Sequence, residues 1–236
     1  MNSTSYSDSI EKYNNSIRDL WKPEFENALE STENTNVKFM NFCFHVNQGE
    51  SPVWFFGMNP SLPISPKEII SQDSDLTENL IGKLKEEQKN MHDEYQYFKK
   101  AKDFFKDDVG INELLNPIFH DLYPIRHTKQ NEFERFIKDK SLGPLRESLD
   151  KATKHLIDKI MPDIIVIANA GASRLIKEIF FEGIDSNSTT LTYEQNGKKT
   201  DMIFSSMLSG QRALDTYSRS RLAREIHETW NSRNNK

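Results

Sequence analysis

Ile164-Ile165-Val166-Ile167-Ala168 is an unbroken apolar run with no polar face. A strand of this kind has to be covered on both sides, which is the condition of a central strand in a parallel sheet carrying helices above and below it. The flanks agree. Leu145 to Ile160 repeats at helical spacing and is stopped by Pro162, and Ala172 to Phe181 repeats at helical spacing again. Val37 to Val46, Val53 to Phe56 ending in Gly57, and Ile118 to Ile125 read as further strands. Thr189 to Gln195 and Met202 to Met207 flank Asn196-Gly197, the dipeptide of a tight hairpin. Helical spacing returns at Ile10, Tyr13, Ile17, Leu20 and Trp21 before Pro23, at Phe133, Phe136 and Ile137, and from Leu214 to Trp230. Strands alternating with helices predict a three-layer α/β/α fold with a mainly parallel central sheet, whose ligands sit at the carboxyl ends of the strands.

One stretch departs from the alternation. Pro63 and Pro66 punctuate a loop, and from Ser71 to Asp108 dense mixed charge surrounds Leu76, Leu80, Leu84, Met91, Tyr95 and Phe98. Residues 67–108 therefore read as a helical arm inserted into a single domain spanning 1–236, with 1–8 and 231–236 flexible. The charges around Lys83 to Lys89 suit a solvated helix face.

Composition excludes several classes. No apolar run approaches the roughly 18 residues a bilayer needs, and the mean hydropathy is -0.72, so no membrane association is expected. Met1 to Asp8 has neither a basic start nor an apolar stretch, which makes the cytoplasm the expected location. Cys43 is the single cysteine, and neither H-E-x-x-H nor a Cys/His pair at ligand spacing occurs, so no metal is expected. Both the G-x-G-x-x-G fingerprint and the P-loop pattern are missing, and no cofactor is expected. The net charge of -5 argues against nucleic-acid binding through bulk charge. Between Asp201 and Lys236, however, six basic residues face four acidic ones, a local balance of +2.

Three polar clusters fall where strands should end: Gly57-Met58-Asn59-Pro60-Ser61, His120-Asp121-Leu122-Tyr123-Pro124 and Ser206 to Arg212. A short apolar strand ending in Gly57-Met58-Asn59-Pro60 resembles the first motif of the uracil-DNA glycosylase superfamily, most closely its single-strand-selective and mismatch-specific branches. Phe119 to Pro124 resembles the family's second-strand segment, which carries the pyrimidine-reading residue. Met207 to Arg212 stands where its closing His-Pro-Ser loop belongs, and the three occur in the family's order. The likeness spans Val53 to Trp230 in architecture, with identity confined to these segments.

The resemblance implies a monofunctional DNA glycosylase, a monomer that flips a nucleotide out of the stack, hydrolyses its N-glycosidic bond and leaves an abasic site. Asn59 would position the attacking water, and Gly57 and Met58 would hold base oxygens through their backbone. Asp121 stands where the family has a base-reading Asn. An ionised carboxylate only accepts hydrogen bonds and suits the exocyclic amine of a cytosine-like base, whereas protonation restores a donor and makes uracil readable. Because removal of ordinary cytosine would attack the host genome, a damaged or modified cytosine, such as foreign phage DNA carries, fits best. Met207 replaces the family's electrophilic His, which leaves His120 or His127 to take that role. No aromatic lies between Ser61 and Ser74, so Tyr123 or the arm would supply the stacking face. Ser209, Gly210, Gln211, Arg212 and Leu214 would close on DNA, with Arg212 or Leu214 inserted into the stack, and Arg219, Arg221 and Arg224 would follow on the last helix. The departures also fit a catalytically silent binding protein of the same fold, and less well a hydrolase of small nucleosides.

Overall fold

The structure, a computed structural model, describes residues 3–20, 45, 49–58, 82, 85–86, 89, 95–125, 130–182, 184, 187–208 and 213–234. Contacts group the chain into two compact units. One takes Met1–Asn47, Met58–Lys89 and Asp121–Lys159, and the other takes Gln48–Gly57, Asn90–His120 and Ile160–Lys236. The strand expected over Val37 to Val46 lies outside the described residues except for His45. So does most of the expected arm before Tyr95.

The second unit holds the sheet. Its strands are β1 (Val53–Gly57), β2 (Ile118–Asp121), β3 (Ile164–Ala168), β4 (Thr190–Gln195) and β5 (Lys198–Ser205), in the order β2-β1-β3-β5-β4. Strand β3 is central as its composition requires: it pairs in parallel with β1, Val53 opposite Ile164, and with β5, Ile164 opposite Asp201. All five of its residues are buried. Strand β4 runs antiparallel to β5, and Asn196 and Gly197 take positive φ values of 51° and 75°, the conformation of the expected hairpin turn.

Alternation along the strands sorts the two faces. Val53, Phe55, Phe119, Val166 and Ile203 join one core cluster with a helix α2 (Gln96–Asp103), a π-helical turn (Phe104–Val109) and a C-terminal helix. Phe98, Ala101, Phe104 and Phe105 are buried there, so the end of the stretch expected as an inserted arm belongs to the core. Each fully buried Phe contributes about 1.5–3 kcal/mol, and the intervening charge costs little because Lys99, Lys100 and Lys106 remain exposed and Lys102 partly so. Gly110 (φ 62°) ends the π-helical turn, its N–H donating to the Phe105 carbonyl at 2.9 Å. On the other face Phe204 of β5 packs edge-on against Phe181, just past a helix over Ala170–Phe180. Asn169 caps that helix by accepting from the N–H groups of Gly171 and Ala172 at 2.9 and 3.0 Å. Helices on both faces of a mainly parallel sheet make the three-layer α/β/α fold.

The first unit carries α1 (Ser3–Leu20), α3 (Gln130–Ile137) and α4 (Gly143–Ile160). Tyr6, Ile10, Tyr13 and Ile17 line the buried stripe of α1, and Asn14 clasps the backbone of His45 through both its amide atoms, at 2.9 and 2.8 Å. Back in the second unit, Ala170–Phe180 is α5 and Thr216–Asn234 is α6. Helix occupies Ser3 to Asp8 and Asn231 to Asn234, where flexible ends were expected. The reason at the carboxyl end is Arg233, which bonds Asp201 at 2.6 Å, Asp163 at 2.9 Å and the Lys199 carbonyl at 2.7 Å. Arg233→Ala strands two carboxylates and is expected to cost about 1–3 kcal/mol, read as a lowered urea midpoint; an unchanged midpoint would mean the clasp contributes nothing.

Candidate functional site

The three polar clusters do follow strand ends. Gly57 closes β1, Asp121 closes β2, and Ser206 and Met207 come directly after β5. Just beyond β1 and β2, the Tyr123 N–H donates to the Met58 carbonyl at 3.0 Å. Gly57 and Met58 are both buried, backbone included, and the Met58 carbonyl is taken by that bond. Asn59 and Ser209 to Arg212 lie outside the described residues, as does His127.

Asp121 is the one expected reader with an unusual electrostatic setting. It has no hydrogen-bond or ion-pair partner among the described residues, and it keeps part of its surface open to solvent. Loss of hydration pushes its carboxyl from 3.8 up to about 7. At neutral pH both protonation states are therefore populated. The neutral acid has one O–H donor and one carbonyl acceptor, the pair that matches a pyrimidine edge, whereas the ionised form presents acceptors alone.

Other expected residues are committed elsewhere. His120 precedes Asp121 on β2 and so points to the opposite face. Its buried ring packs against Trp54 (5.7 Å between centroids) and Phe56 (4.9 Å), an aromatic core position rather than a place in the Asp121 site. Tyr123 is fully buried; its hydroxyl donates to Asp150 at 2.8 Å and its ring packs on Phe133 at 5.9 Å. Burial and the Asp150 carboxylate, itself 3.5 Å from Arg146, hold the phenol well above its ordinary range, and no face is open for a base to stack on. Leu214 rests partly buried on the core cluster with its N–H donating to the Met207 carbonyl at 2.8 Å. Packed partly against that cluster, Leu214 is not the fully exposed side chain expected of a wedge. Arg219 lies over Phe104 and donates from both Nε (2.9 Å) and Nη2 to Asp108, so its charge is already neutralised.

Sequence reading missed a recess in the second unit. It opens beside the carboxyl end of β5, between α5 and the start of α6, with a volume of about 790 Å3. Arg174, Lys177 and Arg221 contribute to its wall together with Ser205, Ser206 and Ser218. No motif announces it, because its residues come from α5, the segment that follows it, the end of β5 and the start of α6, with unrelated local patterns. Among the described residues there is no group of His, Cys, Asp and Glu able to hold a metal ion, and no helix long and apolar enough to cross a membrane. Neither a family model nor a curated protein matches the chain.

Proposed function

We propose that this chain is a monofunctional DNA glycosylase acting on a flipped pyrimidine, either uracil or a modified or damaged cytosine. The observation that carries the proposal is Asp121, a partly open, desolvated carboxyl at the carboxyl end of β2 with no partner among the described residues. Parallel α/β sheets place ligands at such strand ends, and an acidic group left unpaired there is more expensive than a structural role requires. In its neutral form Asp121 donates to the ring N3 of a cytosine-type base and accepts from the exocyclic amine. Uracil presents the reverse pair, which the same carboxyl meets by exchanging the roles of its oxygens. In this reading the Asn59 amide oxygen accepts from a water that attacks C1′ of the sugar. The N-glycosidic bond breaks as the base departs with its electron pair and gains a proton, and an abasic sugar remains.

The test is release of the base from oligonucleotides carrying uracil, cytosine or modified cytosines, single- and double-stranded, with alkaline cleavage revealing abasic sites. Wild-type protein is expected to produce them and Asn59→Ala to lose at least about a hundredfold in rate, the usual cost of removing a group that positions the nucleophile. A second reading is a non-hydrolytic binding protein of the same fold. The burial of His120 and Tyr123 favours it, since neither is open to assist a leaving base or to stack on it. Abasic product from no substrate, with DNA still bound, would select that reading.

The Asp108 hold on Arg219 also yields an expectation. Arg219→Gln should cost about 1 kcal/mol of stability while leaving DNA affinity and its salt dependence unchanged. A shallower salt slope in the variant would return Arg219 to phosphate contact.

A further inference from the structure

The recess beside β5 is built wholly from the second unit and owes nothing to Asp121 or Asn59. At about 790 Å3 it falls within the range of pockets that enclose small organic ligands. Its polar groups are zoned. Towards the carboxyl end of β5, Arg174 from the second turn of α5 and Arg221 from the second turn of α6 join the hydroxyl-bearing Ser206 and Ser218. Farther along α5 stand Glu178 and, just past the helix, Glu182, with Asn187 beyond them. Lys177 lies between the two zones, its Nζ donating to the Ser188 carbonyl at 2.7 Å and sitting 4.5 Å above the Phe204 ring. The apolar part of the wall is Ala170, Phe181, Ile184, Phe204 and Leu214, and Ile184 is 53% exposed.

We propose that this recess is a second ligand site, for a nucleoside monophosphate unit, either free or as one residue of a single strand. The cationic end takes the phosphate, because guanidinium forks match phosphate oxygens in pairs and serine hydroxyls add donors. The apolar wall takes the sugar and ring. Glu178, Glu182 and Asn187 accept from an exocyclic amine at the far end, which selects cytosine or adenine over thymine. A strand is accommodated as well as a free nucleotide: Tyr217, 77% exposed, shares one helix face with Arg221 and Arg224 at spacings of four and seven residues. An open aromatic ring flanked by cations is the platform on which the neighbouring base of a single strand stacks.

Calorimetric titration with 2′-deoxycytidine 5′-monophosphate, thymidine 5′-monophosphate, inorganic phosphate and a short fluorescent oligodeoxycytidine tests the site on the full chain. Saturable binding is expected for the cytidine nucleotide, weaker binding for the thymidine nucleotide, and weaker still for phosphate alone. Arg221→Glu should lower the affinity by about tenfold or more, and Ser206→Trp, which fills the recess without altering charge, should abolish binding. The component of mononucleotide binding that Ser206→Trp removes should persist in Asp121→Asn protein, whatever that variant does to base reading, which separates this site from the proposed base reader. Tyr217→Ala should weaken only the oligonucleotide. Binding confined to the oligonucleotide but lost in Ser206→Trp would assign the recess to a strand residue and support the proposal. Absence of saturable binding by every probe, or binding unchanged in both Arg221→Glu and Ser206→Trp with native circular dichroism, would overturn it.

Discussion

Asp121→Asn is expected to make the protein more stable at pH 8 by about 2–4 kcal/mol while leaving stability near pH 4 unchanged. The folded carboxyl holds its proton up to about 7 and the unfolded one releases it near 3.8. Between those values the folded state binds more protons than the unfolded state, so the wild-type protein loses stability as pH rises through this window and stays at the lower level above it. Each unit of separation corresponds to about 1.4 kcal/mol, and partial solvent access trims the sum. An asparagine has no proton to lose and escapes the penalty. Urea unfolding of both proteins from pH 4 to pH 8 measures the difference; parallel stability curves would mean that Asp121 is not strained. A protein that keeps a destabilising carboxyl where an amide of the same shape would fit gains something else from it, and base reading is the use proposed above.

The second large effect concerns pH and activity. If neutral Asp121 reads the base, the rate of base release by the wild-type protein should fall about tenfold for each pH unit above 7, because the ionised carboxylate turns an acceptor towards an acceptor on the pyrimidine edge. The fall is the same for cytosine-type and uracil substrates, since each presents one acceptor to that edge. The Asp121→Asn enzyme, whose amide donates at every pH, should show no such limb. Initial rates between pH 6 and pH 9 for both proteins settle the matter. A wild-type rate that climbs steadily with pH would show instead that the ionised form is the reader, and would restore selection for an exocyclic amine alone.

These two expectations rest on one residue whose position was readable in the sequence and whose state was not. That Asp121 ends a strand followed from the apolar run Ile118 to Phe119 breaking at His120-Asp121. That its carboxyl is desolvated depends on what other segments place around it. Tyr123 makes the same point in the opposite direction: by local pattern it is an exposed aromatic after a strand, yet Asp150, 27 residues away, takes its hydroxyl and Phe133 covers its ring. Arg219 stood in a basic helix suited to phosphate until Asp108, 111 positions earlier, turned out to neutralise it.

What the sequence by itself determined is the strands β1, β3, β4 and β5, the helices beside them and their layering. Periods of 2 and 3.6, Pro162 as a stop, and Asn196-Gly197 as a turn are local properties, and the all-apolar composition of Ile164 to Ala168 already demanded a covered central strand. The tertiary structure alone decided which charged and aromatic side chains remain available. It drew Phe98 to Val109 from a charged stretch into the core, took His120, Tyr123 and Arg219 out of the expected site, and assembled the recess lined by Arg174, Ser206 and Arg221. Burial and ion pairing are made between segments distant along the chain, so their energies appear only when the chain has closed on itself.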